Sequence, residues 1–389
     1  RARPLFEHEK ERGEWECVSA FQSQGTFVLH EGAVKVKSGI GRINVLRSRT
    51  WHGMCSVDSN ESMYTSVQPL VEKAKAGGTA TLFMFGMTGS GKTYNMNVIH
   101  ANAPKDLFKD NNTTSAGMRF VSYELVGNKC FDLLDADKKQ VYLRVGPSGK
   151  SEVCGATEKV VSTSEDLEKL LQEASLRRES SPTGTNATSS RSHAVYQISV
   201  GNGGCLLLVD LAGNEGSIEV HHHNKEQMKE AAAINASLST LKACLEAKAR
   251  GARHVPFRES LLTRVLRDGL VSNEAFSTAL LACVSPACSH FELSLGTLTS
   301  AAMLMNKNKV KKEDLQEDVL KAVAVKASGP KKWDEKQLAL WCQNSGFDGI
   351  DTTGLTGAKL MKLTVLRLSF LCADKSKAKE LAEVVYKSI

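Results

Sequence analysis

Residues 86–93 read Gly-Met-Thr-Gly-Ser-Gly-Lys-Thr, directly behind an apolar run at 81–85. A buried strand, a glycine-rich turn and a helix in this order form a P-loop, and the spacing follows from phosphate chemistry. Gly86, Gly89 and Gly91 let the backbone curl, so that its N–H groups, with those of Met87, Thr88 and Ser90, point into one anion-sized hollow. The helix that begins near Lys92 adds the positive end of its dipole. Lys92 supplies a point charge for the outer phosphates, and the Thr93 hydroxyl is placed to ligate Mg²⁺. A plain strand-to-helix turn does not account for Lys92 and Thr93 together. The segment predicts a nucleoside triphosphate as ligand.

Composition bounds the rest. The chain has 389 residues, 24% charged and 41% hydrophobic, enough for one large domain and a small one. No apolar stretch approaches the ~20 residues of a membrane span, and no secretory signal opens the chain. The first residue is Arg, so a piece of a longer chain is expected. Ten scattered Cys without a CxxC pair read as reduced thiols of a cytosolic protein. A net charge of +7 suits an acidic partner, and charge alone does not choose among nucleic acid, membrane surface and acidic protein polymer. The run His221, His222, His223 is expected to be a solvated loop, because no second ligand group stands at metal spacing nearby.

Along the first three-quarters, apolar strands alternate with amphipathic helices, the pattern of a sheet covered on both faces. Strands are expected at 81–85, 119–125, 194–200, 205–210 and 279–284, and helices at 164–175 and 227–249. In the last helix Ile234, Leu238, Leu241 and Leu245 mark a core face, and Gly251 fits its stop. From 306 to 332 the chain is Lys-rich and reads as a basic linker or a solvated helix. Apolar periodicity then returns over 333–389 and predicts several short helices.

Two further segments carry phosphate chemistry. Cys205-Leu206-Leu207-Leu208-Val209-Asp210 ends a buried strand in a carboxylate suited to a Mg²⁺ water shell. Gly213 follows, and glycine tolerates close approach of its N–H to a γ-phosphate. The stretch Asn186-Ala187-Thr188-Ser189-Ser190-Arg191-Ser192-His193 packs four hydroxyls, an amide, a guanidinium and an imidazole into eight residues. Alone, either segment reads equally as a turn or a polar loop. With the P-loop they hold the inventory of a γ-phosphate sensor.

In this order the three segments resemble the P-loop, switch I and switch II of the kinesin motor domain. Arg1-Ala2-Arg3-Pro4, Glu124, Phe131-Asp132-Leu133-Leu134, Ile234-Asn235-Ala236-Ser237-Leu238 and the run from His254 to Ser260 are similar to other family segments. The resemblance covers about 1–305. It implies an α/β P-loop NTPase fold, a central mixed sheet flanked by helices, that binds and hydrolyses ATP with Mg²⁺ and acts on microtubules. By position it places Thr93, Ser190 and, through water, Asp210 on the metal. Arg191 pairs with Glu215 as a latch around the lytic water, beside Asn186 and Ser189. Asp210 and Gly213 serve as switch II sensors, and Arg1, Arg3, Pro4 and Tyr94 enclose the base.

Within the family, Asn214, Val265-Leu266-Arg267-Asp268 and the lead-in Thr183-Gly184-Thr185 are similar to the kinesin-13 group of microtubule depolymerases. Lys35-Val36-Lys37 looks like that group's loop-two finger. Lys229, Lys242, Arg253, Arg258 and Arg264 are the basic residues expected to face acidic tubulin, with no nucleic acid or membrane as partner. Lys37 and Ala243 stand where that group carries acids, Met87 where it carries Gln, and Leu261 where kinesins place Lys. The first two bear on depolymerisation and leave the nucleotide pocket untouched. A motile kinesin or a nucleotide-gated tubulin adaptor are the alternatives. Segment 333–389, with Trp333, Trp341 and Leu360, resembles a sterile alpha motif domain. That likeness implies a small all-α C-terminal domain for association with a protein or with itself. The resemblance places the chain on the cytoskeleton, with spindle, cilium or flagellum as candidate settings.

Overall fold

A computed structural model describes residues 1–21, 26–37, 40–52, 59–109, 117–146, 151–179, 191–215, 225–267, 276–302, 335, 336 and 338. In chain order the elements are α1 (Glu7–Glu11), β1 (Val18–Phe21), β2 (Thr26–Lys37), β3 (Ile40–His52), α2 (Asn60–Lys75), β4 (Thr79–Phe85) and α3 (Lys92–Leu107). Next come β5 (Met118–Val126), β6 (Lys129–Asp132), β7 (Gln140–Val145), β8 (Ser151–Cys154), β9 (Lys159–Val161) and α4 (Ser164–Glu179). The series ends with β10 (His193–Ser199), β11 (Cys205–Asp210), α5 (Lys225–Ala249), α6 (Leu261–Val265), β12 (Phe276–Ala282) and α7 (Phe291–Ala302).

The main sheet runs β12-β4-β11-β10-β5-β6-β7-β8, with β9 on β5. It is mixed. β4 lies parallel to β12 and β11, and β10 is antiparallel to both β11 and β5. The parallel centre is buried on both faces, which is why β4 and β11 are near-continuous apolar runs. Side chains still alternate between the faces. Ala80, Leu82 and Met84 join the core under α2, α3 and α4, with Leu206 and Leu208 of β11. Phe83 and Phe85 join the core under α5 and α6, with Leu207 and Val209.

Helix α5 buries Ile234, Leu238, Leu241 and Leu245, the face expected from spacing. It stops at Gly251 (φ +67), where Ala252 N–H closes on the Ala247 carbonyl at 2.9 Å. Two bounds differ from the sequence reading by three residues or more. Helix α4 runs on past 175 to Glu179, because its inward stripe continues through Leu167, Leu171 and Ala174 to Arg178. Strand β12 is displaced toward the N-terminus, since its ladder on β4 opens at Phe276–Thr79 and Val284 bridges Ala2 instead. The chain divides into one unit of 1–29 and 51–306 and a second of 30–50 and 307–389. The expected linker 306–332 and, apart from Glu335, Lys336 and Leu338, the helical segment 333–389 lie outside the described residues, as does the histidine run 221–223.

His100 of α3 is buried against Tyr196, ring centroids 4.5 Å apart, and neither ring nitrogen has a hydrogen-bond partner among the described residues. Burial pushes its pKa down to about 4. The unfolded chain takes up this proton near the ordinary value of 6.5 and the folded chain does not. Stability therefore falls as pH is lowered from 6.5 toward 4. His100→Leu is expected to flatten that dependence by about one proton, ~1.4 kcal/mol per pH unit. Urea unfolding of both proteins across this window measures the slope, and an unchanged slope refutes the assignment.

Candidate functional site

Strand β4 delivers the chain into the glycine turn, and Gly91 (φ +96) caps α3 in the left-handed region. A side chain at Gly86 would collide with the Cys283 carbonyl oxygen. Lys92 opens α3, buried, with its Nζ donating to the Gly86 and Met87 carbonyls at 2.9 Å each. Burial holds its pKa below the ordinary lysine value.

Strand parity brings Asp210 to this helix. It continues the Leu206, Leu208 face and so points toward α3 and α4. Thr93 Oγ1 donates to Asp210 Oδ2 at 2.9 Å. Arg178, also fully buried, forms an ion pair with the same oxygen and anchors itself on the Ser192 carbonyl at 2.7 Å. Asp210 Oδ1 is buried with no hydrogen-bond partner among the described residues. A hydroxyl beside a carboxylate with an unused oxygen fits a hydrated divalent cation. Ser190, the third expected metal group, lies outside the described residues with Asn186 and Ser189.

The loop after Asp210 returns to the P-loop. Asn214 N–H donates to the Gly86 carbonyl at 3.3 Å, and its side-chain amide donates to Thr297 of α7 at 2.9 Å. Glu215 accepts Thr88 N–H at 2.9 Å and is hydrogen-bonded by the Thr88 hydroxyl. A Cβ at Gly213 would collide with both Glu215 and Thr88. The expected Arg191–Glu215 pair is not formed in this structure, because Glu215 takes the donors of Thr88. Arg191 Nη1 is buried without a hydrogen-bond partner among the described residues.

Beside the turn, a cavity of about 560 Å³ is lined by Arg1, Arg3, Pro4, Asn60, Tyr94 and Asn95, among others. Arg1 donates to Asn95 at 2.7 Å and to Asn60 at 2.8 Å, above the Tyr94 ring. Arg3 forms an ion pair with Glu9, donates to the Gly89 carbonyl at 2.6 Å and stacks on Phe6. Its guanidinium thus fixes the wall of the cavity to the P-loop.

The basic candidates are spread over several elements. Lys35, Val36 and Lys37 end β2, and Lys229 lies in α5, all with side chains outside the described set. Lys242 is half-buried, its ammonium 6.0 Å from the Phe85 ring centroid. Arg253 and Arg258 are exposed. Arg264 is half-buried and donates to the Leu143 carbonyl at 3.1 Å.

Sequence reasoning missed Arg178, Asn60, Asn95 and Thr297. Arg178 left a signal, a cation at a core position of an apolar stripe. The two asparagines and Thr297 left none.

A glycine turn capping a helix, a buried lysine and an acidic strand end meeting the helix's threonine define a P-loop nucleotide-binding protein. The family model of the kinesin motor domain matches residues 1–306, so the chain belongs to the kinesin motor domain family. It is similar to kinesin-like protein KIN-13B of Arabidopsis thaliana, 34% identical over 322 residues, 75% of this chain and 46% of that protein. The chain thus spans about half the length of this relative. It is also similar to a solved KIF14 dimer in a two-heads-bound state, with AMP-PNP and in complex with a microtubule. That match has a TM-score of 0.65 at 28% identity and covers 78% of this chain and 91% of that one.

Removing one partner of a buried ion pair leaves an uncompensated charge, at a cost of about 3–5 kcal/mol. Arg178→Ala is expected to lose stability on this scale in urea unfolding. Adding Asp210→Asn should restore part of it. A double variant as unstable as the sum of the two single changes would show that the pair is not coupled.

Proposed function

We propose that this chain is a motor head that hydrolyses ATP with Mg²⁺ and couples the reaction to binding of tubulin. The observation that carries the reading is the meeting of Thr93 with Asp210 at 2.9 Å while Glu215, five residues on, grips Thr88. One loop thereby touches the turn at both its phosphate end and its metal end. The KIF14 neighbour with AMP-PNP and a microtubule, and the kinesin-13 relative, support ATP and microtubules as substrate and partner.

Lys92 exchanges its two carbonyl contacts for phosphate oxygens. Thr93 and Ser190 would hold the metal, and Asp210 would accept hydrogen bonds from its waters. Bound Mg²⁺ supplies positive charge against the outer phosphates. Glu215 leaves Thr88, frees its N–H for phosphate and closes on Arg191, with Asn186 and Ser189 placing the attacking water. Gly213 offers its N–H to the γ-phosphate. Arg1, Arg3, Pro4 and Tyr94 enclose the base.

The finer reading is microtubule depolymerisation. Support comes from Asn214 and from the kinesin-13 relative. Lys35 to Lys37 would probe a bent tubulin end, while Lys229, Lys242, Arg253, Arg258 and Arg264 would face tubulin. The segment 333–389 is proposed as a sterile alpha motif-like association domain on a cytoskeletal protein, in spindle or cilium.

Lys92→Ala is expected to lower ATP turnover about 100-fold or more, and Glu215→Ala to cost a similar factor. Stabilised microtubules should shorten with the parent chain and ATP, and keep their length with Lys92→Ala. Unchanged lengths under robust parental turnover would overturn depolymerisation and leave ATP hydrolysis standing. Normal turnover by Glu215→Ala would overturn the latch.

A further inference from the structure

Strand β10 places its odd-numbered residues on the face opposite Asp210. Val195 packs into the core under α5 and α6, and His193, two residues earlier, points the same way. The ring is 3% exposed and touches two other segments. Its Nδ1 accepts Ala212 N–H at 3.0 Å, two residues beyond Asp210. Its Nε2 lies 2.8 Å from the Ser237 hydroxyl of α5, and that hydroxyl donates to the Ile234 carbonyl at 2.7 Å. A hydroxyl has one proton. Ser237 spends it on Ile234 and can only accept from His193, so Nε2 carries the hydrogen and Nδ1 is the acceptor. The three contacts are mutually consistent with a single neutral tautomer. Burial, reinforced by the nearby Arg178 guanidinium, pushes the ring's pKa down to about 3.

We propose that His193 is a positioning residue that locks the register of α5 to the loop 211–215. Movement of that loop around phosphate would reach α5 through the line Ala212, His193, Ser237. The ring is rigid, and both of its bonds are directional and closed to water, so a displaced Ala212 leaves a buried donor unpaired unless α5 follows. The same loop carries Glu215 to Thr88, so the nucleotide end and the α5 end are five residues apart or fewer. This inference rests on the reading of α5 as the tubulin-facing helix.

Ser237→Ala removes the acceptor on α5 without touching a residue assigned to catalysis or nucleotide binding. ATP turnover of the full chain is measured with and without microtubules. Turnover without microtubules is expected to stay within about twofold of the parent, and the stimulation by microtubules to fall about tenfold, the usual size of a coupling between sites. Ser237→Thr keeps the hydroxyl and should restore stimulation, which mere loss of packing would not predict. His193→Gln should lose stimulation like Ser237→Ala. Full stimulation in Ser237→Ala overturns the proposal. If the parent chain itself is not stimulated, the tubulin reading fails, and the link is then judged by hydrogen exchange. In that measurement an ATP analogue should change amide protection in α5 of the parent and not of Ser237→Ala. Equal changes in both overturn the link.

Discussion

A carboxylate buried at the end of a central strand must be neutralised where it stands, and much of this site is arranged around that demand at Asp210. An unpaired charge there would cost several kcal/mol. Arg178 answers it from α4, which extends to Glu179 to carry the guanidinium inward. Thr93 answers from the first turn of α3. The ion pair therefore ties strand β11 to α4, and the threonine ties it to α3 directly behind the glycine turn. Among the described residues no donor reaches Oδ1. The pair contributes little to net stability compared with an apolar replacement. Its effect is to fix a charged oxygen beside the P-loop hydroxyl.

From that anchor the next five residues reach three separate segments. Ala212 donates to His193 of β10, and Asn214 to the glycine turn and to Thr297 of α7. Glu215 takes the donors of Thr88. Gly213 permits the crowding, since any side chain there would strike Glu215 and Thr88. Contacts this dense do not shift by small continuous amounts. A loop of this kind has a few discrete arrangements, and a ligand that favours one of them moves several elements at once.

Much of this was legible in the sequence through alternation. Leu206, Leu208 and Asp210 share one face and Leu207 and Val209 the other, so the side of the sheet that Asp210 addresses follows from counting. The glycine turn, Lys92 and Thr93 were legible because phosphate binding leaves few alternatives of residue type. Arg178 was legible in principle as an arginine on the Leu167, Leu171, Ala174 stripe. The grip of Glu215 on Thr88 was not, because these residues are far apart in the chain and only the sheet order β4-β11 brings their loops together. Asn60 and Asn95 were hidden for a similar reason. Each is an ordinary polar residue on its own helix, and only the pairing of α2 with α3 around Arg1 gives them a shared partner.

The basic residues divide by the same physics. Exposed charges act at a distance and through water, so Arg253 and Arg258 are suited to steering an acidic surface toward the chain, with strong dependence on salt. Arg264 and Lys242 are already engaged. Arg264 holds β7 through Leu143, and Lys242 lies over Phe85, the last residue of the strand that enters the glycine turn. That contact biases the ammonium toward the end of β4 by about 0.5–1 kcal/mol. Lys242 of α5 thus lies beside the end of the P-loop strand. A contact made through it would sense the nucleotide end of the sheet in a way that Arg253 and Arg258 would not.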